Sequence, residues 1–250
     1  NPCQVAQDGH PETRQAAPRC FRKASLTSMV LPLFRIDGLD SAEVGQRIPL
    51  TGPEAKHAVS VRRMRVGEAI QLSNGRGLRV IGSVAELGSN ELVVEAREVT
   101  QESEPALKLT VAQALAKGDR DELAIQAATE LGCWAVIPWQ AERSVSRWDA
   151  AKAKKGVERW QSIVSEASKQ SLRVWDPRVT EPASTKQLCA MVESFDLVLV
   201  LEPSAETRIS SVDFGALGSA NICLVVGPEG GIAPDELQQL SSAGAKCVRL

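Results

Sequence analysis

The 250-residue chain carries 29 Lys and Arg against 31 Asp and Glu, with hydrophobic and charged shares of 43% and 24%. These are ordinary globular values and exclude a disordered or collagen-like chain, and the apolar runs fall far short of the ~20 residues that a membrane-crossing helix needs. Six cysteines (Cys3, Cys20, Cys133, Cys189, Cys223, Cys247) form no C-x-x-C pair and only two histidines accompany them, so reduced thiols in a cytoplasmic protein with no metal are expected, not a zinc site or a disulfide framework.

In chain order, residues 1–28 are polar, contain Pro2, Pro11 and Pro18, and lack the apolar stretch of a secretory signal. They read as a disordered extension or non-native leader, with the native start at Met29. Over 29–100, strands are predicted at 47–50, 69–72, 78–84 and 92–99. Turn signals at Ser73-Asn74-Gly75 and Gly88-Ser89-Asn90 separate them, and a helix is predicted at 54–64. Short strands at such close spacing indicate a small β-barrel domain.

From about residue 101 the grammar changes, and 101–250 form a second domain. A strand at 107–112 leads to a helix opened by an acidic capping-box pattern, Asp119-Arg120-Asp121-Glu122, and closed at Gly132. A strand at 135–138 precedes a long helix capped by Asp149, with Val157, Trp160, Val164 and Ala167 on one face. A helix at 184–195 and apolar strands at 196–201 and 222–226 follow. Pro234 and Gly244 bracket a last helix, and a strand begins at 246. The alternation predicts an α/β domain with a mainly parallel sheet.

The near-zero net charge hides a segregation. Between Lys56 and Arg79 six basic residues face one acid; between Arg143 and Arg178 nine face four; from Val179 to Leu250 four face nine. Two basic stretches of this kind suit a polyanion partner, although solvated faces produce the same pattern.

Gly227-Pro228-Glu229-Gly230-Gly231 follows the strand at 222–226 and precedes the Pro234 helix. Glycines at a strand's carboxyl end make a tight turn with backbone groups free for a ligand. The spacing is neither the dinucleotide fingerprint nor a P-loop. A second loop, Glu202-Pro203-Ser204, leaves the neighbouring apolar strand, so both face one crevice.

Lys117-Gly118-Asp119-Arg120, Thr129-Glu130-Leu131-Gly132, Glu142-Arg143-Ser144, Glu158-Arg159-Trp160, Glu166-Ala167 with Gln170, and Gly227–Gly231 stand in this order over roughly residues 30–250. In this set the sequence resembles the RsmE-type methyltransferases, 16S ribosomal RNA (uracil-N3) methyltransferases of the SPOUT superfamily. The resemblance implies a PUA-like barrel followed by a trefoil-knot α/β domain, working as a homodimer on a uridine in the decoding region (helix 44) of the small ribosomal subunit. It implies S-adenosylmethionine held by three loops: Leu201, Glu202 and Pro203; Gly227, Glu229, Gly230, Gly231 and Ile232; and Val248 and Leu250. The family continues past the position of Leu250 with a further glycine, a Leu-Arg stretch and a helix. A chain ending at Leu250 is therefore expected to bind cofactor weakly, and a non-catalytic RNA-binding protein is the alternative reading.

Methylating N3 of uridine requires loss of the imide proton and in-line attack on the sulfonium methyl. Glu229, the acid of the glycine loop, is a candidate for orientation or proton handling, with local backbone capping as the alternative. Arg143 and Arg173 are the other catalytic candidates, each equally readable as a surface hydrogen-bonding residue. Lys56, Arg62, Arg63, Arg65, Lys117, Arg120, Arg143, Gln170 and Arg173 are the expected RNA contacts. His57 reads as a packed or surface residue and Trp160 as a core residue.

Overall fold

The computed structural model describes residues 30–215 and 218–250. The expectations for 1–28 and Met29 lie outside the described residues, as do Cys3 and Cys20. The four described cysteines are free thiols. Among the described residues no helix is long and apolar enough to cross a membrane.

The amino-terminal part is a curled five-stranded sheet of β1 (Leu33–Arg35), β2 (Arg47–Leu50), β3 (Ala69–Ser73), β4 (Leu78–Leu87) and β5 (Leu92–Gln101), in the order β1-β3-β4-β5-β2. Alternate side chains such as Ile70, Leu72, Val80 and Val94 fill its interior with Phe34 and Ile48. Each fully buried side chain of this kind contributes roughly 1.5–3 kcal/mol. The β4–β5 register shifts at Ile81/Gly82 and Val84/Glu86, and bulges of this type bend a sheet on itself.

The single helix predicted at 54–64 is two pieces. α1 (Gly52–Lys56) runs into a π-turn over His57–Val61, in which Arg62 N–H reaches back to His57 O at 2.9 Å. The wider turn lets Ala55, Ala58 and Met64 all reach the core. Arg63, at φ 54°, then stops the helix in a left-handed conformation.

The second sheet has seven strands: β6 (Leu107–Ala114), β7 (Ala135–Gln140), β8 (Arg178–Val179), β9 (Ala183–Ser184), β10 (Leu197–Leu201), β11 (Ala220–Val226) and β12 (Lys246–Val248). The order is β12-β10-β11-β6-β7-β8 with β9 also on β7, and every pair is parallel. α2 (Arg120–Glu130) and α3 (Ala150–Gln170) cover one face over Leu115, Ile125, Val136, Trp160 and Val164. α4 (Thr185–Met191) and α5 (Pro234–Ser242) cover the other over Trp139, Leu188, Val200 and Leu240.

Asp149 caps α3 as expected, accepting from Lys152 N–H at 2.9 Å. The capping box expected for α2 is corrected: Asp119 makes no side-chain cap bond. Asp121, in the first turn of α2, is the buried carboxylate, and it accepts Ala116 N–H at 3.1 Å and Glu122 N–H at 2.8 Å. The β6–α2 loop turns Ala116 inward, so the donor that needs a partner lies in the loop. The helix predicted to 195 ends at Met191 and tightens into a 3₁₀ turn over Val192–Ser194. The strand predicted from 246 ends at Val248.

The two sheets meet at the carboxyl end of α3. Lys169, almost wholly buried, donates to Glu54 Oε1 and lies beside Glu166, each at 2.6 Å, while Glu54 Oε2 accepts Arg35 N–H at 3.1 Å. Arg35 pairs with Asp176 and donates to Arg173 O at 2.9 Å. Residues 172–176 lie along the β3–β4 turn, with Gly77 N–H to Val174 O at 2.8 Å and Asp176 N–H to Gly75 O at 3.0 Å.

Candidate cofactor and RNA site

In a parallel sheet all strands end on the same edge, and their following loops stand side by side. Leu201 pairs with Val226 on one side and Val248 on the other. The loops leaving β10, β11 and β12 therefore start at one level. Leu201, Glu202, Pro203, Val248, Arg249 and Leu250 line a cavity of about 270 Å³ there. Glu202 N–H donates to Val248 O at 2.9 Å, and Arg249 N–H to Thr207 O at 2.9 Å, which holds the β12 end against the β10 loop. The five residues expected in the first and third cofactor loops thus share one wall.

The glycine loop leaves β11 next door. Gly227 is required by close approach: a β-carbon there would lie 2.6 Å from Ile232 Cγ1. Gly231 N–H donates to Pro228 O at 2.9 Å, closing a turn with Gly231 at φ +74°, a backbone that glycine adopts without strain. Pro228 and Ile232 are buried while Glu229, Gly230 and Gly231 are exposed. The loop thus presents its backbone outward on a fixed base.

Glu229 faces the β6–α2 loop, accepting Lys117 N–H and Arg120 Nη1, both at 3.2 Å. Its own backbone N–H, Lys117 N–H and the Arg120 charge hold its carboxyl below the ordinary carboxylate range, against a smaller opposing effect of burial. Arg143, in the loop after β7, donates from Nη1 to Gly230 O at 3.2 Å. The β7 loop is itself fixed by Glu236, whose buried carboxylate accepts Glu142 N–H at 2.9 Å, the Thr185 hydroxyl and Ala233 N–H at 3.3 Å. Glu236 stands in the first turn of α5, where an acid is ordinary; nothing local marks it as a three-way clamp.

The expected RNA contacts fall into two groups. Lys117, Arg120 and Arg143 gather around the glycine loop. Lys56, Arg62, Arg63 and Arg65 are exposed around α1 and the π-turn, at the Lys169 end of α3. Gln170 ends α3 there, and Arg173 donates from Nη1 to Thr129 O at 2.7 Å. Arg173, also expected as a catalytic residue, links the segment after α3 to the end of α2 through this bond. The 21-residue α3, a span of about 30 Å, has the Lys117–Arg120 loop near its amino-terminal half and α1 at its carboxyl end.

The crevice suits a folded, partly apolar cofactor. Leu201 and Val248 give an apolar floor, and the glycine loop leaving the adjacent strand β11 exposes its backbone at 229–231.

Comparison with known proteins gives the same picture. Residues 102–250 match the family model for an RNA methyltransferase domain, and residues 50–96 that for an RNA methyltransferase PUA domain. The chain is 42% identical over 228 residues to ribosomal RNA small subunit methyltransferase E of Mycobacterium bovis, covering 89% of this chain and 85% of that one. It is 37% identical over 207 residues to the Bacillus subtilis protein of the same name, covering 79% and 80%. The crystal structure of the Neisseria gonorrhoeae ribosomal RNA small subunit methyltransferase E bound to S-adenosyl methionine superposes with a TM-score of 0.76 at 28% identity, over 88% of this chain and 89% of that one. The fold is that of a SPOUT RNA methyltransferase with a PUA-like domain. The chain belongs to the ribosomal RNA small subunit methyltransferase E family.

Proposed function

We propose that this protein transfers a methyl group from S-adenosylmethionine to N3 of a uridine in the decoding region (helix 44) of 16S ribosomal RNA, in the small ribosomal subunit. The observation that carries the reading is the cavity lined by Leu201, Glu202, Pro203, Val248 and Leu250. It sits beside a glycine loop whose other side holds Lys117, Arg120 and Arg143 through Glu229 and Gly230. Relatives of the same name and a neighbour with bound S-adenosyl methionine support it.

In this reading the cofactor supplies an electrophilic sulfonium methyl. Gly227, Gly230, Gly231 and Ile232 form the wall between it and the RNA. Arg143 and Arg120 place positive charge where the uracil anion forms as its N3 proton leaves to water. Glu229 orients Lys117 and Arg120; a carboxyl held below its usual range is a hydrogen-bond acceptor at neutral pH and a poor proton sink. The curled sheet of β1–β5 anchors RNA through Lys56, Arg62, Arg63 and Arg65 around it, and the parallel-sheet domain carries the chemistry. Two cationic groups at opposite ends of α3 suit a cytoplasmic homodimer in which one RNA meets one group from each protomer.

Incubation with tritiated S-adenosylmethionine and small subunits from a strain lacking the modification tests this. Label in 3-methyluridine is expected. RNA binding with neither cofactor affinity nor label would favour the non-catalytic reading.

A further inference from the structure

A second cavity, of about 510 Å³, opens beyond the β7 loop, between the amino-terminal ends of α2 and α3. Arg147, Trp148, Lys152, Lys155, Gly156 and Arg159 make much of its wall. None of these belongs to the cofactor crevice, and only Arg159 lies in a motif that the sequence singled out.

The wall is rigid. Gly156 sits inside α3, where a β-carbon would come 2.6 Å from the Trp148 ring. That ring also meets the buried Trp160 edge-on, with centroids 5.3 Å apart. The glycine lets the indole lie against the helix, which pins the loop carrying Arg143 and Arg147.

The charges are unequal in their partners. Arg159 is neutralised by Glu122, with bonds of 3.1 and 2.7 Å. Asp121, also in the wall, spends its carboxylate on Ala116 and Glu122 N–H. Lys152 Nζ lies 3.5 Å from Asp149 Oδ2, a loose and exposed pair. Arg147 donates to Glu142 O at 2.6 Å and Lys155 has no ion pair, so neither has a carboxylate partner among the described residues. Three cations with little internal neutralisation, around a cavity of nucleotide size, suit a polyanion. The neighbouring Arg143 bond to Gly230 puts that polyanion beside the glycine loop.

We propose that this cavity holds backbone phosphates of the RNA next to the target nucleotide, with Lys152, Lys155 and Arg147 as the phosphate contacts. The inference deepens the methyltransferase reading and rests on it.

The test is fluorescence anisotropy of the full chain with a labelled transcript of the small-subunit decoding region, over a series of salt concentrations. Lys152→Glu/Lys155→Glu is compared with Lys154→Glu/Lys186→Glu, an equal charge change on exposed lysines outside the cavity wall. The cavity pair is expected to weaken binding at least about tenfold and to lower the salt slope by between one and two, as loss of two phosphate contacts requires. The control pair should change affinity less than about threefold. Lys152→Arg/Lys155→Arg should bind as the parent does, and melting curves should show all variants folded. Equal weakening by both glutamate pairs, or an unchanged salt slope, would overturn the inference while leaving the methyltransferase reading intact. A parent protein that binds neither the transcript nor intact small subunits would remove that reading, and this one with it.

Discussion

Ile232 Cγ1 occupies the space that a side chain on Gly227 would need, 2.6 Å from where its β-carbon would stand. Ile232 cannot give way, because it belongs to the core formed with Val200, Val225 and Leu240. Gly227→Ala is therefore expected to cost about 1–3 kcal/mol through overpacking, and to weaken binding of S-adenosylhomocysteine at least about tenfold in calorimetry. Gly231→Ala meets open space and should cost only about 1–2 kcal/mol for its positive φ. Similar cofactor affinity in the two variants would show that the close approach does not shape the crevice.

Glu229 is predicted to orient without titrating in the working range. A carboxyl whose folded pKa is depressed contributes stability above its unfolded value of about 4.3 and loses it as pH falls through the folded value. From pH 6 to 9 the group is therefore ionised throughout. Glu229→Gln should reduce kcat/KM about tenfold or more and leave the shape of the pH–rate profile unchanged. Disappearance of a titrating limb in that variant would make Glu229 a proton acceptor instead.

Lys169 ties α3 to Glu54 of the barrel. Burial alone would pull its pKa down; the hydrogen bonds with Glu166 and Glu54 more than offset this, and the net direction is up. A raised lysine contributes its stability in full below the unfolded pKa of about 10.4 and loses it as pH climbs through the folded value. Lys169→Met leaves Glu54 without its cation, at an expected cost of about 2–4 kcal/mol in urea unfolding at pH 8. The difference from the parent should shrink above pH about 10.5.

Gly156→Ala tests the indole contact. At an ordinary solvent-facing helix position this change stabilises by about 1 kcal/mol. Here the added methyl must displace Trp148 from the helix and from Trp160. The expected result is net destabilisation in thermal melts, with a changed tryptophan fluorescence spectrum. A stabilised protein with an unaltered spectrum would mean that the ring shifts freely.

The strand ends were legible because parallel strands read as apolar runs closed by Pro and Gly. Leu197–Leu201 and the Gly227 turn each announce their place without help from the rest of the chain. Asp149 was legible as a cap because capping is local. The π-turn at His57–Val61 was not: its extra residue is demanded by where Met64 meets the barrel core, which no local spacing records. Glu236 and the Lys169–Glu54 pair were hidden for the same reason, their partners lying 94 and 115 residues away. Gly156 did carry a signal, a glycine inside a strong helix pattern, which often marks close packing. The bond from Arg173 to Thr129 O, which joins two helix ends, was hidden in the same way, its partner lying 44 residues away.

The most direct measurement of the central claim is a crystal structure of the protein grown with S-adenosylhomocysteine. The adenosyl group should lie between Leu201–Pro203 and Val248–Leu250, with its sulfur turned toward Gly230 and Arg143. A ligand bound elsewhere, or a crevice closed by its own side chains at saturating ligand, would contradict the account.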